Sequence, residues 1–254
     1  MSPVPGARLR QPVPARGRPD GLPVLVACSH GTASGPGRQA VAGLLAEIKA
    51  RRPGLPVEQA YVDVQRPHVH EVLRRLAGQH RPTVVVPLLL AAGYHVRVDI
   101  ADAVAAAGAL ASPPLGPDPA LTGALLDRLA GRPAVSGLVL AAAGSSDPGA
   151  AAEVDRLADT LASHLDRPVT TAYLSAAGPD VPTAVAVARA RTGGPIGVLS
   201  YLLAPGFFAE RLQGLAAGAG ASWVTDPLAG HPALAELALR RYDEAVAAAV
   251  PRGH

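Results

Sequence analysis

The chain has 254 residues, enough for one large domain or two of ordinary size. Half of the residues are hydrophobic (49%) and only 17% are charged, so a sizeable core can form; with 3% aromatics, Ala, Val and Leu must fill it. The net charge of +3 is small, no basic stripe interleaved with aromatics occurs, and no run reaches the about 20 apolar residues of a membrane span, so neither nucleic acid nor a membrane is an expected partner.

Residues 1–20 are rich in Pro and Arg, lack the apolar segment of a secretory signal, and are expected to form a disordered arm. From there short apolar runs alternate with helical stretches. Val24 to Cys28 predicts a strand, and Gly37 to Ala50 a helix with Val41, Leu44, Leu45 and Ile48 on one face. Val57 to Val62 predicts a second strand. Pro67 to Ala77 predicts a second helix, with Pro67 suited to its first position. Thr83 to Leu90 predicts a third strand, and Val96 to Ala107 and Pro119 to Ala130 two further helices. This alternation implies an α/β fold, a parallel sheet with helices on both faces. The single cysteine, Cys28, excludes an internal disulfide and suits a reducing cytoplasm.

The second half repeats the first. Cys28-Ser29-His30-Gly31 is echoed by Ala141-Ala142-Ala143-Gly144, Ala60-Tyr61-Val62-Asp63 by Ala172-Tyr173-Leu174-Ser175, and Leu89 to His95 by Leu202 to Phe208. Pro114-Leu115-Gly116 returns as Pro227-Leu228-Ala229, so four blocks recur in order, each about 113 residues on. The expected organisation is two tandem domains, 21–133 and 134–250, divided near Gly131 to Ser136. A repeat inside one chain can stand in for a homodimer, which is compatible with a monomer.

In such sheets ligands bind beyond the carboxyl ends of the strands. Three strand ends in the first half carry His30, Asp63 and His95; the copy has Ala143, Ser175 and Phe208 there. Strands, turns and glycines persist while each group able to bind a metal or take a proton is lost. A purely structural role for these side chains would leave some of them in the copy. Two imidazoles suit borderline divalent metals, and histidine also titrates near neutral pH, so the pair can take protons from a substrate. A closed structural zinc site wants four protein ligands, often thiolates, and one cysteine cannot supply them. No Walker motif and no GxGxxG after a strand are found, which argues against a nucleotide. His68, His70, His80, His164, His231 and His254 have no such context and are assigned no role.

Three segments together resemble the sirohydrochlorin chelatase family, the small ATP-independent class II chelatases: Ser29-His30-Gly31; Val57 to Asp63 with Arg66-Pro67; and Val85 to Ile100, where a long apolar strand is followed by Gly93, His95 and Asp99-Ile100. The likeness covers about Pro23 to Ala130, and the second half looks like a degenerate copy, as in two-domain members. The resemblance implies a flavodoxin-like fold in each half and a metal chelatase, a lyase, that inserts Fe2+, Co2+ or Ni2+ into sirohydrochlorin in siroheme or cobalamin-type biosynthesis. It implies that His30 and His95 bind the metal and act in catalysis, with Asp63 at the position of a site glutamate. Arg38, Arg66 and Arg97 are candidates for pairing with substrate carboxylates. A rival reading keeps the histidines but makes the protein a non-catalytic carrier of metal or tetrapyrrole. A histidine phosphatase would need arginine where Ser29 stands.

Overall fold

In the computed structural model, which describes residues 21–91, 94–145, 148–175 and 178–250 without the side chains of residues 94–97 and 148, the apolar runs pair into two parallel sheets. The expected arm, residues 1–20, lies outside these residues, as does Gly93. The first half contains β1 (Val24–Ser29), α1 (Gly35–Arg51), β2 (Val57–Tyr61), α2 (Val69–Gly78), β3 (Thr83–Pro87), α3 (Tyr94–Ala107), β4 (Leu110–Ala111) and α4 (Pro119–Asp127). The second repeats it with β5 (Gly137–Ala142), α5 (Pro148–Leu165), β6 (Val169–Tyr173), α6 (Val181–Thr192), β7 (Ile196–Tyr201), α7 (Phe207–Gly218), β8 (Trp223–Val224) and α8 (Pro232–Ala249). Strand orders are β2-β1-β3-β4 and β6-β5-β7-β8. The order reverses at β1/β3 and again at β5/β7, and at such points the connections leave to opposite faces and open a crevice. Every residue of β1, β3, β5 and β7 is buried, as expected of parallel strands covered on both sides. Among the described residues no helix is long and apolar enough to cross a membrane.

Two of the element ends that differ from the sequence reading, and two strands it did not show, have a local reason. The second helix does not start at Pro67: the Glu71 carboxylate accepts the His68 amide at 2.9 Å, so His68 is the N-cap, and the Pro67 carbonyl is taken by the Tyr61 amide at 3.0 Å. The third strand stops at Pro87. Leu88 still donates to the Cys28 carbonyl of β1 at 2.7 Å, Leu89 and Leu90 stay buried beyond the ladder, and the Leu90 carbonyl accepts the Tyr201 hydroxyl of the other half at 3.1 Å. The two-residue edge strands β4 and β8 are too short to show periodicity, and pair only with β3 and β7.

The packing crosses the boundary between the repeats. The last helix, α8, lies on α1 and β3 of the first half, while α4 lies against α5 and α8. The Tyr242 hydroxyl donates to the Pro23 carbonyl at 2.7 Å, Arg128 to Pro227 at 2.8 Å, and the Trp223 indole to Pro133 at 2.9 Å. Arg52 pairs with Asp243, and Arg240 and Arg241 both reach Asp118, the N-cap of α4. One apolar core therefore contains Leu25 and Val84 together with Leu138, Leu199 and Leu237. An exposed pair such as Arg52–Asp243 contributes at most about 1 kcal/mol, whereas a fully buried Leu contributes about 1.5–3 kcal/mol, so the many apolar contacts carry most of this arrangement, with the buried Asp118 carboxylate held by two arginines.

Leu237 is 1% exposed, and Leu237→Ala is expected to cost about 2–5 kcal/mol. Because the core is shared, calorimetry should show one transition for both halves, shifted as a whole; two separated transitions would contradict a common core. Burial pushes the Cys28 thiol up to about 12, so it stays protonated and inaccessible. Iodoacetamide at pH 8 should label Cys28 only after denaturant is added, as read by mass spectrometry.

Candidate functional site

Both crevices open into one cavity of about 780 Å³ between the carboxyl ends of the two sheets. Residues 29–33 and 88–91 wall it from the first half, 142–145 and 202–208 from the second. The described wall is mainly apolar: it carries one imidazole, that of His30, and no Asp, Glu, Lys or Arg. Ser29, 2% exposed, lines the same space, and its hydroxyl has no hydrogen-bond partner among the described residues.

The backbone around His30 is fixed by the loop that follows β2. The Val62 amide donates to the Ser29 carbonyl and the Asp63 amide to the His30 carbonyl, both at 3.0 Å, and the Thr32 amide donates to the Gln65 side chain at 2.8 Å. Gly31 has φ +98°, and a Cβ there would lie 2.2 Å from the Asp63 carbonyl oxygen. Only glycine fits so close an approach. The chain is held while the His30 ring, exposed on the cavity wall, is left available.

The copy keeps this frame. The Ser175 amide donates to the Ala143 carbonyl at 2.9 Å, Gly144 has φ +95°, and a Cβ on it would lie 1.9 Å from the Ser175 carbonyl oxygen. The glycines thus serve the crossing of two loops, and that crossing forms equally well with alanine in place of the imidazole. His30 is not needed to make the turn.

The other expected residues divide. Asp63 is brought beside His30 through the backbone, yet it does not line the cavity: its carboxylate accepts the Val64 amide at 2.7 Å, capping a turn in which Val64 has φ +57°. His95 is the second residue of α3, eight residues past the end of β3, and its side chain, like that of Arg97, lies outside the described residues. Arg38 donates to the carbonyl of Ala33, on the cavity wall, at 2.7 Å, whereas Arg66 pairs with Glu71 on the surface. His68 and His231 are helix N-caps, and His68 stacks on His70. Among the described residues no group of three or more His, Cys, Asp or Glu is placed to hold a metal. The sequence reading missed two features of the wall. Tyr201 spans the halves; burial raises its phenol far above the ordinary value, with the charges of Glu153 and Asp118 adding to the effect, so it stays a donor to Leu90. Phe207 and Phe208 stand together at the cavity, a pairing whose only sequence signal is the scarcity of aromatics elsewhere.

The CbiX family model matches residues 24–131 and again 137–245. The chain belongs to the CbiX family. Each match covers one parallel sheet, so the CbiX unit occurs twice. A comparison with curated proteins finds no matching sequence. Among solved structures, SirB from Bacillus subtilis with Fe3+ matches with a TM-score of 0.74 at 23% identity, over 88% of this chain and 95% of that one. The sirohydrochlorin chelatase SirB from Bacillus subtilis subspecies spizizenii in complex with cobalt matches at 0.71 and 22%, over 89% and 96%. A multi-domain protein of Deinococcus radiodurans with structural similarity to chelatases matches at 0.67 and 23%, over 87% of this chain and 55% of that one. These likenesses establish two tandem chelatase-like units; the CbiX match places both in one family.

Gly31→Ala and Gly144→Ala should each lower stability by about 1–3 kcal/mol, since both force a side chain into a left-handed position against a carbonyl. Thermal denaturation checks the magnitude. Only Gly31→Ala should also weaken Co2+ binding, followed by its visible absorbance, because only that turn carries an imidazole.

Proposed function

We propose that this CbiX-family protein inserts a divalent metal ion into sirohydrochlorin, with iron as the first assignment and cobalt or nickel as alternatives, and without a nucleotide. The observation that carries the reading is the His30 ring, the one imidazole on the described wall of an apolar cavity between the halves, opposite a copy that keeps the turn and loses the ring. Metallation of a free-base tetrapyrrole binds one M2+ and releases two pyrrole N–H protons. His30 and His95 are assigned both tasks: their imidazoles hold the incoming ion in place of water, and as it transfers to the ring nitrogens they accept the protons. The apolar wall keeps water from the macrocycle while its carboxylates remain at the rim, where Arg38 is assigned to meet them. Asp63 is assigned a positioning role: its carboxylate caps the Val64 amide and so steadies the loop whose backbone holds the His30 carbonyl. Support for the choice of ions comes from the Bacillus subtilis SirB structures, one with Fe3+ and one with cobalt. The expected location of such an enzyme is the cytoplasm, and a monomer already contains both walls of the cavity.

An anaerobic absorbance assay with sirohydrochlorin and each of Fe2+, Co2+ and Ni2+ tests the proposal. His30→Ala and His95→Ala should each slow insertion by about 10²–10⁴-fold, the usual worth of a general base, with the melting temperature unchanged. Asp63→Ala should cost less than tenfold and lower the melting temperature. Near-wild-type rates in the double histidine variant would overturn the mechanism. Wild-type rates no faster than the spontaneous reaction would make the protein a carrier.

A further inference from the structure

The chain contains two phenylalanines in 254 residues, and they are neighbours: Phe207 and Phe208, the first two residues of α7. Neither is buried in the core. Phe207 is 69% exposed and Phe208 36%, their rings meet edge to face at 5.5 Å, and both line the cavity that holds His30. Phenyl rings ordinarily supply large apolar area to a core, and here Ala, Val and Leu fill the core while the phenyl area faces the cavity.

Their position is fixed from the opposite half. A Cβ on Gly37 of α1 would lie 2.4 Å from the Pro205 carbonyl oxygen, so the missing side chain admits the loop just ahead of the rings. Gly206, at φ +142°, is the α7 N-cap, and a Cβ on it would crowd Ser34 and Thr32 at 3.3–3.4 Å. The segment that presents the rings is thereby seated on the residues that follow His30. By the repeat register Phe208 also occupies the place that His95 has in the first half. A flat, conjugated ligand suits such a wall, because offset and edge-on contacts with aromatic faces favour planar π systems over aliphatic ones.

We propose that Phe207 and Phe208 form an aromatic wall against which the tetrapyrrole macrocycle lies, so that the second repeat, having lost its metal-binding side chains, supplies substrate binding while the first supplies metal delivery. This rests on the metallation reading above and adds a specificity-determining pair to it.

Equilibrium binding of metal-free sirohydrochlorin, read by its own fluorescence, separates the two ideas. Phe207→Ala and Phe208→Ala should each weaken the Kd about tenfold and raise the KM in parallel, with kcat within threefold and the Co2+ affinity of the protein unchanged. Phe208→Tyr, which keeps the ring, should stay within twofold of wild type. His30→Ala should bind the macrocycle normally and fail to metallate it. A double Phe207→Ala, Phe208→Ala variant with the wild-type Kd would overturn the wall and leave the metallation reading standing. A wild-type protein that does not bind sirohydrochlorin would overturn both. Sedimentation that shows a wild-type dimer dissolved by the same substitutions would assign the rings to a second copy instead.

Discussion

Burial of Leu234, Leu237 and Tyr242 on α8, packed on α1 and β3 of the other repeat, welds two similar sheets into one core. A fully buried leucine is worth about 1.5–3 kcal/mol, more than an exposed pair such as Arg52–Asp243. Two halves joined only by a linker would swing apart. Two halves that share a terminal helix hold their strand ends at a fixed separation, and the space left between those ends is the cavity. The Tyr201–Leu90 hydrogen bond and the tight seat of the Pro205 loop on α1 secure the same separation from inside.

Within that frame the two repeats are alike in backbone and different in chemistry. The β1 and β2 loops cross at Gly31 as the β5 and β6 loops cross at Gly144, with the same amide-to-carbonyl bond in each. A crossing that persists without the imidazole removes the main structural reason for His30. The asymmetry gives the cavity two unlike walls, one carrying the His30 imidazole, to which the proposal assigns the metal, and one apolar and aromatic. A planar macrocycle that must meet a metal on one face fits that division of labour.

Several features of the chain could be read before any coordinates. The β1, β2 and β3 runs, the buried face of α1 at Val41, Leu44, Leu45 and Ile48, and the correspondence of His30 with Ala143 all follow from periodicity and repetition. Other features escaped because their signal is not periodic. Leu89 and Leu90 read as strand, since an apolar run looks the same whether it pairs in a ladder or crosses to a neighbour. The position of Asp63 at a strand end is visible in sequence, and the bond of its carboxylate to the Val64 amide is not. Pro67 read as a helix start, although the Glu71 carboxylate moves that start to His68.

By itself the sequence determined that there are two copies of one α/β unit, the order of strands and helices in each, and which copy keeps the imidazoles. Those properties are local or repetitive, and one chain displays them in full. Only the tertiary structure decided that the last helix belongs to the first sheet, that the Asp63 carboxylate caps the Val64 amide, and that Phe207 and Phe208 line the same cavity as His30. An apolar face shows in its spacing that it will be covered. What covers it depends on which of several equally apolar faces can reach it, and that is fixed only when the whole chain has packed.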